Sequence, residues 1–161
     1  MTDESFVLAT ALGQALQRRG LGVATAESCT GGLIAGAITD VAGSSGWFDR
    51  GFVTYSNDAK TEMLGVRPQT LAAHGAVSEA TAAEMAAGAL AHSRADLAVA
   101  VTGIAGPDGG TPAKPVGTVC FAWARRGSAV ATVTHRLPGD RAAVRAATVR
   151  VALQGVLDRL D

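Results

Sequence analysis

Leu21–Gly43 reads LGVATAESCTGGLIAGAITDVAG. A short apolar run, Leu21–Ala26, meets Glu27, Ser28, Cys29 and Thr30. Two glycines follow, and then an apolar stretch of small residues. The first part has the length and bounds of a buried strand. The last part, from about Thr30 to near Gly43, suits a helix whose small residues let it lie close to a sheet. A strand that hands over to a helix in this way is the repeating unit of an α/β sandwich. The turn between them has two physical readings. Ser28 or Thr30 is a helix N-cap, or Ser28 is a nucleophile beside free backbone N–H groups and a helix dipole that favour developing negative charge.

The flanking sequence extends the same pattern. Residues 4–19 place Phe6, Leu8, Leu12 and Leu16 at near-helical spacing, and Gly20 ends that helix. GFVTYS (51–56) reads as a second strand after the loop SSGWFDR. Asn57 or Asp58 is placed to cap a short helix through Met63, and Pro68 opens another short helical piece. Ser78 caps an Ala-rich helix. DLAVAVTG (96–103) is a continuous apolar run with β-branched residues, a buried central strand. Residues 116–124 and 129–137 flank Arg125-Arg126-Gly127-Ser128 as an antiparallel hairpin, and a last helix runs from about Asp140 to Leu160. The expected fold is a three-layer αβα sandwich with a mixed sheet, a single domain over residues 1–161.

Bulk properties narrow the function. The chain has 161 residues, 48% hydrophobic and only 17% charged, which suits one packed core. Fourteen basic residues balance fourteen acidic ones, and no long basic run occurs, so nucleic acid is not an expected partner. No apolar run is long enough for a bilayer. The N-terminal stretch starts acidic and ends basic, opposite to a secretory signal. Cys29 and Cys120 form no framework and read as reduced thiols of a cytoplasmic protein. The three histidines show no ligand spacing, and no metal is expected.

The loops leaving the strands (27–32, 55–60 and 102–114) hold the unusual residues, at the strand ends where open α/β sheets bind ligands. Only two of the fourteen basic residues are lysines, Lys60 and Lys114, and both lie in these loops. A desolvated lysine becomes a neutral base, which arginine does not. The single tyrosine, Tyr55, precedes Lys60 by five positions. A Ser28–Lys60 pair oriented or relayed by Tyr55 is an acyl-transfer arrangement. Neither G-x-S-x-G nor S-x-x-K is present, so the base must come from elsewhere in the chain. Cys29 is a competing nucleophile, since a thiol at a helix N-terminus can acidify. VTGIAGPDGGTPAKP (101–115) is Gly-rich, with N–H groups suited to an anion, although it ends in no phosphate-loop motif. Arg141 and Arg145 sit four residues apart on one helix face, as an anion site or a solvated face. Trp47-Phe48 reads as core packing or as an interface anchor.

Five segments, TAESCTGG, AGSSGWFDRGFVTYSNDAK, HGAVSEAT, TGIAGPDGGTPAKPVGTV and PGDRAAVR, occur in this order over nearly the whole chain. Together they resemble the CinA C-terminal-domain family, and within it the stand-alone nicotinamide-nucleotide amidases. The resemblance implies an amide hydrolase that converts nicotinamide mononucleotide and water to nicotinate mononucleotide and ammonia, without a cofactor and as a homo-oligomer. It puts the nucleophile on Ser28, with Tyr55 and Lys60 as its catalytic partners. The family's Gly-rich loop matches Thr102 to Gly106, and the substrate-binding set expected around these residues is Glu27, Thr30, Gly31, Gly32, Asn57, Thr102, Gly103, Ala105, Gly106 and Arg141. The pyrophosphatase-linked N-terminal domain of larger CinA proteins is not expected here. A non-catalytic nucleotide-binding or interaction module of the same fold is the alternative.

Overall fold

A computed structural model describes residues 3–161; Met1 and Thr2, which begin the acidic-to-basic N-terminal stretch, lie outside the described residues. The elements in order are α1 (Glu4–Arg19), β1 (Val23–Glu27), α2 (Leu33–Thr39), a 3-10 turn (Ser44–Gly46), β2 (Phe48–Val53), α3 (Asn57–Leu64), α4 (Pro68–His74), α5 (Glu79–Ala91), β3 (Leu97–Gly103), β4 (Thr118–Arg125), β5 (Ala131–Arg136) and α6 (Arg141–Asp158). The strands form one sheet in the order β2-β1-β3-β4-β5. β1 pairs parallel with β2 and β3, whereas β3–β4 and β4–β5 are antiparallel. This is the expected mixed sheet with its hairpin.

The two faces of the sheet are chemically different, and the alternation of each strand writes the difference. Leu97, Val99 and Val101 of β3, with Val119, Phe121 and Trp123 of β4, pack with α1, α2 and α6. Ala98, Ala100, Ala122 and Ala124 point the other way, toward α5 and the end of α3. Large side chains on one face meet Leu12, Leu16, Ile34, Ile38 and Leu153. Small side chains on the other allow the Ala-rich α5 to lie close. There, a Cβ on Gly88 would stand 1.9 Å from the Leu64 carbonyl oxygen, so α5 and the C-terminus of α3 touch backbone to side. Trp47 is buried in the first of these cores, against Gly13; it is core, not an interface anchor.

Two boundaries at the site differ from the sequence reading, and α2 also ends at Thr39, short of Gly43. β2 spans 48–53, not 51–56. It is an edge strand, so Asp49 and Arg50 sit on it with exposed side chains and give no apolar alternation to read. Thr54, Tyr55 and Ser56 therefore leave the sheet as a loop. α2 begins at Leu33 and not near Thr30, because Gly31 and Gly32 take φ of +56° and +106°, a left-handed conformation that a right-handed helix does not include. No helix of the described residues is long and apolar enough to cross a membrane.

Candidate active site

The turn after β1 is held by Glu27. Its carboxylate is fully buried and takes three donors: Thr30 Oγ1 at 2.5 Å and Ile34 N–H at 2.9 Å on Oε1, and Ala35 N–H at 3.0 Å on Oε2. A short helix with no side-chain cap at its own N-cap, Gly32, is thus capped from the preceding strand. Neither Ser28 nor Thr30 is the N-cap, and the hydroxyl of Ser28 is left for another partner. The sequence reading assigned Glu27 and Thr30 to substrate; both are fully buried and bonded to each other.

That partner is Lys60. Its Nζ lies 3.1 Å from Ser28 Oγ and 3.0 Å from the Thr54 carbonyl oxygen. Ser56, not Asn57 or Asp58, caps α3 by accepting the Ala59 N–H, and the helix then delivers Lys60 inward one turn later. Lys60 is only 1% exposed and Ser28 8%. No carboxylate among the described residues lies within ion-pair distance of Lys60. An ammonium would need acceptors for three protons and finds two, without a counter-charge. Burial accordingly lowers the Lys60 pKa from its ordinary value of 10.5, against a smaller opposing effect from Cys29. A buried lysine driven toward the neutral amine, against a serine hydroxyl, has the make-up of a general base beside a nucleophile.

Cys29 does not compete on these terms. It is buried, and burial first of all, reinforced by the charge of Glu27, pushes its thiol up to about 11, against smaller opposing effects of a backbone N–H, Arg145 and Lys60. The thiolate is scarce at neutral pH.

Backbone amides beside Ser28 complete the chemistry. Ser28 N–H donates to Val101 O and Gly31 N–H to Ser28 O, so both are used. Cys29 N–H and Thr30 N–H, the two amides after the hydroxyl, donate to no other residue among the described ones; the Cys29 N–H has only its own thiol beside it. Consecutive free amides at this position suit a developing oxyanion.

The remaining expected residues divide. Tyr55 is 64% exposed, and its hydroxyl accepts from Arg141 Nη2 at 3.3 Å; it makes no hydrogen bond to Lys60. Arg141 Nη1 donates to Gly106 O at 2.8 Å, so Arg141 ties the Tyr55 loop to the Gly-rich loop. Thr102 is buried and its hydroxyl donates to Ala76 O, which pins the end of β3 to the turn before α5. Gly103 has Val119 and the Thr118 carbonyl where a Cβ would be, and Ala105 is core. Asn57 is exposed at the start of α3. Lys114 Nζ donates to His74 O, away from Ser28. Two contacts had no signal in the sequence: the Thr54 carbonyl on Lys60, and Arg145, whose Nε and Nη2 donate to the Cys29 and Thr30 carbonyls at 3.1 and 3.2 Å. A cavity of about 570 Å³ lies between the Gly-rich loop and the start of α6, with Ala105, Pro107, Arg141 and Arg145 in its wall. Among the described residues, no three His, Cys, Asp or Glu side chains gather as a metal site would require.

The CinA C-terminal domain model matches residues 6–160. The chain belongs to the CinA C-terminal-domain family. It is 58% identical over 155 residues, 96% of this chain and 94% of the relative, to nicotinamide-nucleotide amidohydrolase PncC of Escherichia coli strain K12. A putative competence-damage inducible protein of Symbiobacterium thermophilum is 55% identical over 98% of this chain but only 40% of its own length, so the family domain also occurs in longer proteins. The crystal structure of competence/damage inducible protein CihA from Agrobacterium tumefaciens superposes with a TM-score of 0.95 at 52% identity, covering 98% of this chain and 96% of that one. The CinA fold of this chain is therefore supported by sequence and by shape.

Proposed function

We propose that this chain is a nicotinamide-nucleotide amidohydrolase that uses Ser28 as nucleophile and Lys60 as base. The observation that carries the reading is the buried Lys60–Ser28 contact of 3.1 Å, with no carboxylate to hold the lysine charged. The identity to PncC supports nicotinamide mononucleotide as the amide.

In this mechanism neutral Lys60 takes the Ser28 proton as Oγ attacks the carboxamide carbon. The negative charge moves to the carbonyl oxygen, where the N–H groups of Cys29 and Thr30 receive it. Lys60 returns the proton to the amide nitrogen, the C–N bond breaks, and ammonia leaves. Water, deprotonated by Lys60, then attacks the ester on Ser28; the C–O bond breaks, Lys60 returns that proton to Ser28 Oγ, and nicotinate mononucleotide is released. The cleft beside Gly103–Gly106 and Arg141 takes the ribose phosphate. Tyr55 serves as the orienting residue at the mouth, with Asn57 beside it, while Glu27, Thr30, Gly31, Gly32 and Thr102 shape the walls. A cytoplasmic, homo-oligomeric enzyme belongs to the same reading.

Ammonia release from nicotinamide mononucleotide, measured for the wild type, Ser28→Ala and Cys29→Ala, tests it. The expected result is a loss of about 10⁴-fold or more in Ser28→Ala and near-normal turnover in Cys29→Ala. Near-normal turnover in Ser28→Ala refutes the serine mechanism. Binding of the nucleotide by the wild type without ammonia release points to the binding module instead.

A further inference from the structure

Among the described residues, Arg145 is the one cation whose bonds go to the backbone of the nucleophile turn. It lies one helical turn inside α6, half-buried, with no ion-pair partner among the described residues. Both of its bonds are spent on carbonyls, those of Cys29 and Thr30. A trans peptide points its N–H opposite to its C=O, and the Cys29–Thr30 bond is trans. Fixing the Cys29 carbonyl therefore fixes the Thr30 N–H on the far side of the same plane. That N–H has no acceptor among the described residues. The turn needs such support, because Gly31 and Gly32 have φ of +56° and +106° and little rigidity of their own.

Charge gives a second reason. The Glu27 carboxylate is buried directly before Ser28, and a fixed negative charge there opposes an oxyanion. Lys60 gains its positive charge only as it takes the Ser28 proton, whereas a guanidinium carries its charge before the attack as well.

We infer that Arg145 is a positioning residue for the amide hydrolysis: its two-pronged hold on the Cys29 and Thr30 carbonyls aims the Thr30 N–H at the developing oxyanion and balances Glu27. The inference rests on the serine reading above. Arg145 also lines the cavity beside Arg141, so a direct bond to the substrate phosphate is the competing role.

The test uses Arg145→Met and Arg145→Lys in the full chain, with three readouts. Thermal denaturation checks the fold. Turnover is measured on nicotinamide mononucleotide and on nicotinamide riboside, which keeps the amide and lacks the phosphate. The rate at which a fluorophosphonate labels Ser28, followed by mass, reports the nucleophile and its oxyanion donors without any amide substrate. The expected result for Arg145→Met is a ~10- to 100-fold loss of kcat on both substrates with KM little changed, and a matching fall in labelling rate. Arg145→Lys should recover only part, because an ammonium lacks the planar fork. A rise in KM with kcat kept, confined to the phosphorylated substrate, overturns the inference in favour of phosphate binding. Labelling at the wild-type rate in a folded Arg145→Met also overturns it; if that variant does not fold, wild-type labelling and kcat in Arg145→Lys do the same. A wild type that is labelled at Ser28 but releases no ammonia defeats the substrate assignment alone, and labelling rates still decide Arg145. A wild type unlabelled at Ser28 overturns both.

Discussion

Replacing Glu27 by Gln swaps one carboxylate oxygen for an NH2 group at a place where three donors converge. If the Gln oxygen stays on Thr30 Oγ1 and Ile34 N–H, the new NH2 faces the Ala35 N–H, donor against donor. A buried N–H left without an acceptor costs about 1–3 kcal/mol. Loss of the negative charge at the start of α2 removes a further ~0.5–1 kcal/mol. Relief from burying a charge works the other way and offsets part of the sum. The expected net loss is about 2 kcal/mol, taking these terms together. For a chain of this size that is a fall in Tm of about 4–8 °C. The protein should stay folded, since a domain typically holds ~5–15 kcal/mol. Thermal unfolding followed by circular dichroism reads the shift, and KM for the amide is measured beside it. A Tm unchanged within experimental error, together with a raised KM, would mean that Glu27 faces ligand and does not cap α2, and the account of the turn would fail.

Two further expectations concern Lys60 and the helix that carries it. Burial lowers the folded-state pKa of Lys60 below its ordinary 10.5, so between those two pKa values the unfolded chain binds more protons and stability rises with pH. The penalty is full below the folded pKa and gone above the unfolded one; Lys60→Met should therefore gain stability over wild type as pH falls through that window, while losing turnover. Denaturant unfolding at several pH values checks this, and equal slopes with pH for the two proteins would count against a depressed pKa. Gly88→Ala puts a methyl 1.9 Å from the Leu64 carbonyl oxygen, which must push α3 away from α5 at a cost of about 1–3 kcal/mol; a variant that melts like wild type would show that the two helices do not meet at this point.

The chain made its sheet plain in the sequence because buried strands carry apolar runs, as in Leu97–Gly103. It hid the start of β2, since an edge strand needs no apolar face and Asp49 and Arg50 look like loop residues there. Ser28 and Lys60 were legible for a chemical reason: lysine is rare in this chain and a turn after a strand exposes a hydroxyl. What the turn itself needed was not legible. The start of α2 was misplaced because its cap is a strand carboxylate reaching forward, whereas cap patterns look for a Ser, Thr, Asp or Asn at the helix boundary. Thr102 was expected to meet substrate, but its hydroxyl bonds a backbone carbonyl, Ala76 O. The Arg145 and Thr54 contacts are likewise to or from backbone carbonyls, which every residue possesses and no motif marks.

β1 lies between β2, which follows it closely, and β3, which arrives late in the chain; Ser28 N–H rests on Val101 of that late strand. During synthesis Ser28 and Lys60 both leave the ribosome ahead of the strand that seats the turn after β1. Joining the parallel strands also carries the entropy of closing the long loop between them. The Ser28–Lys60 pair is thus seated only after the middle of the sheet has closed, and a nascent or truncated chain that holds both residues but lacks β3 has no Val101 to support Ser28.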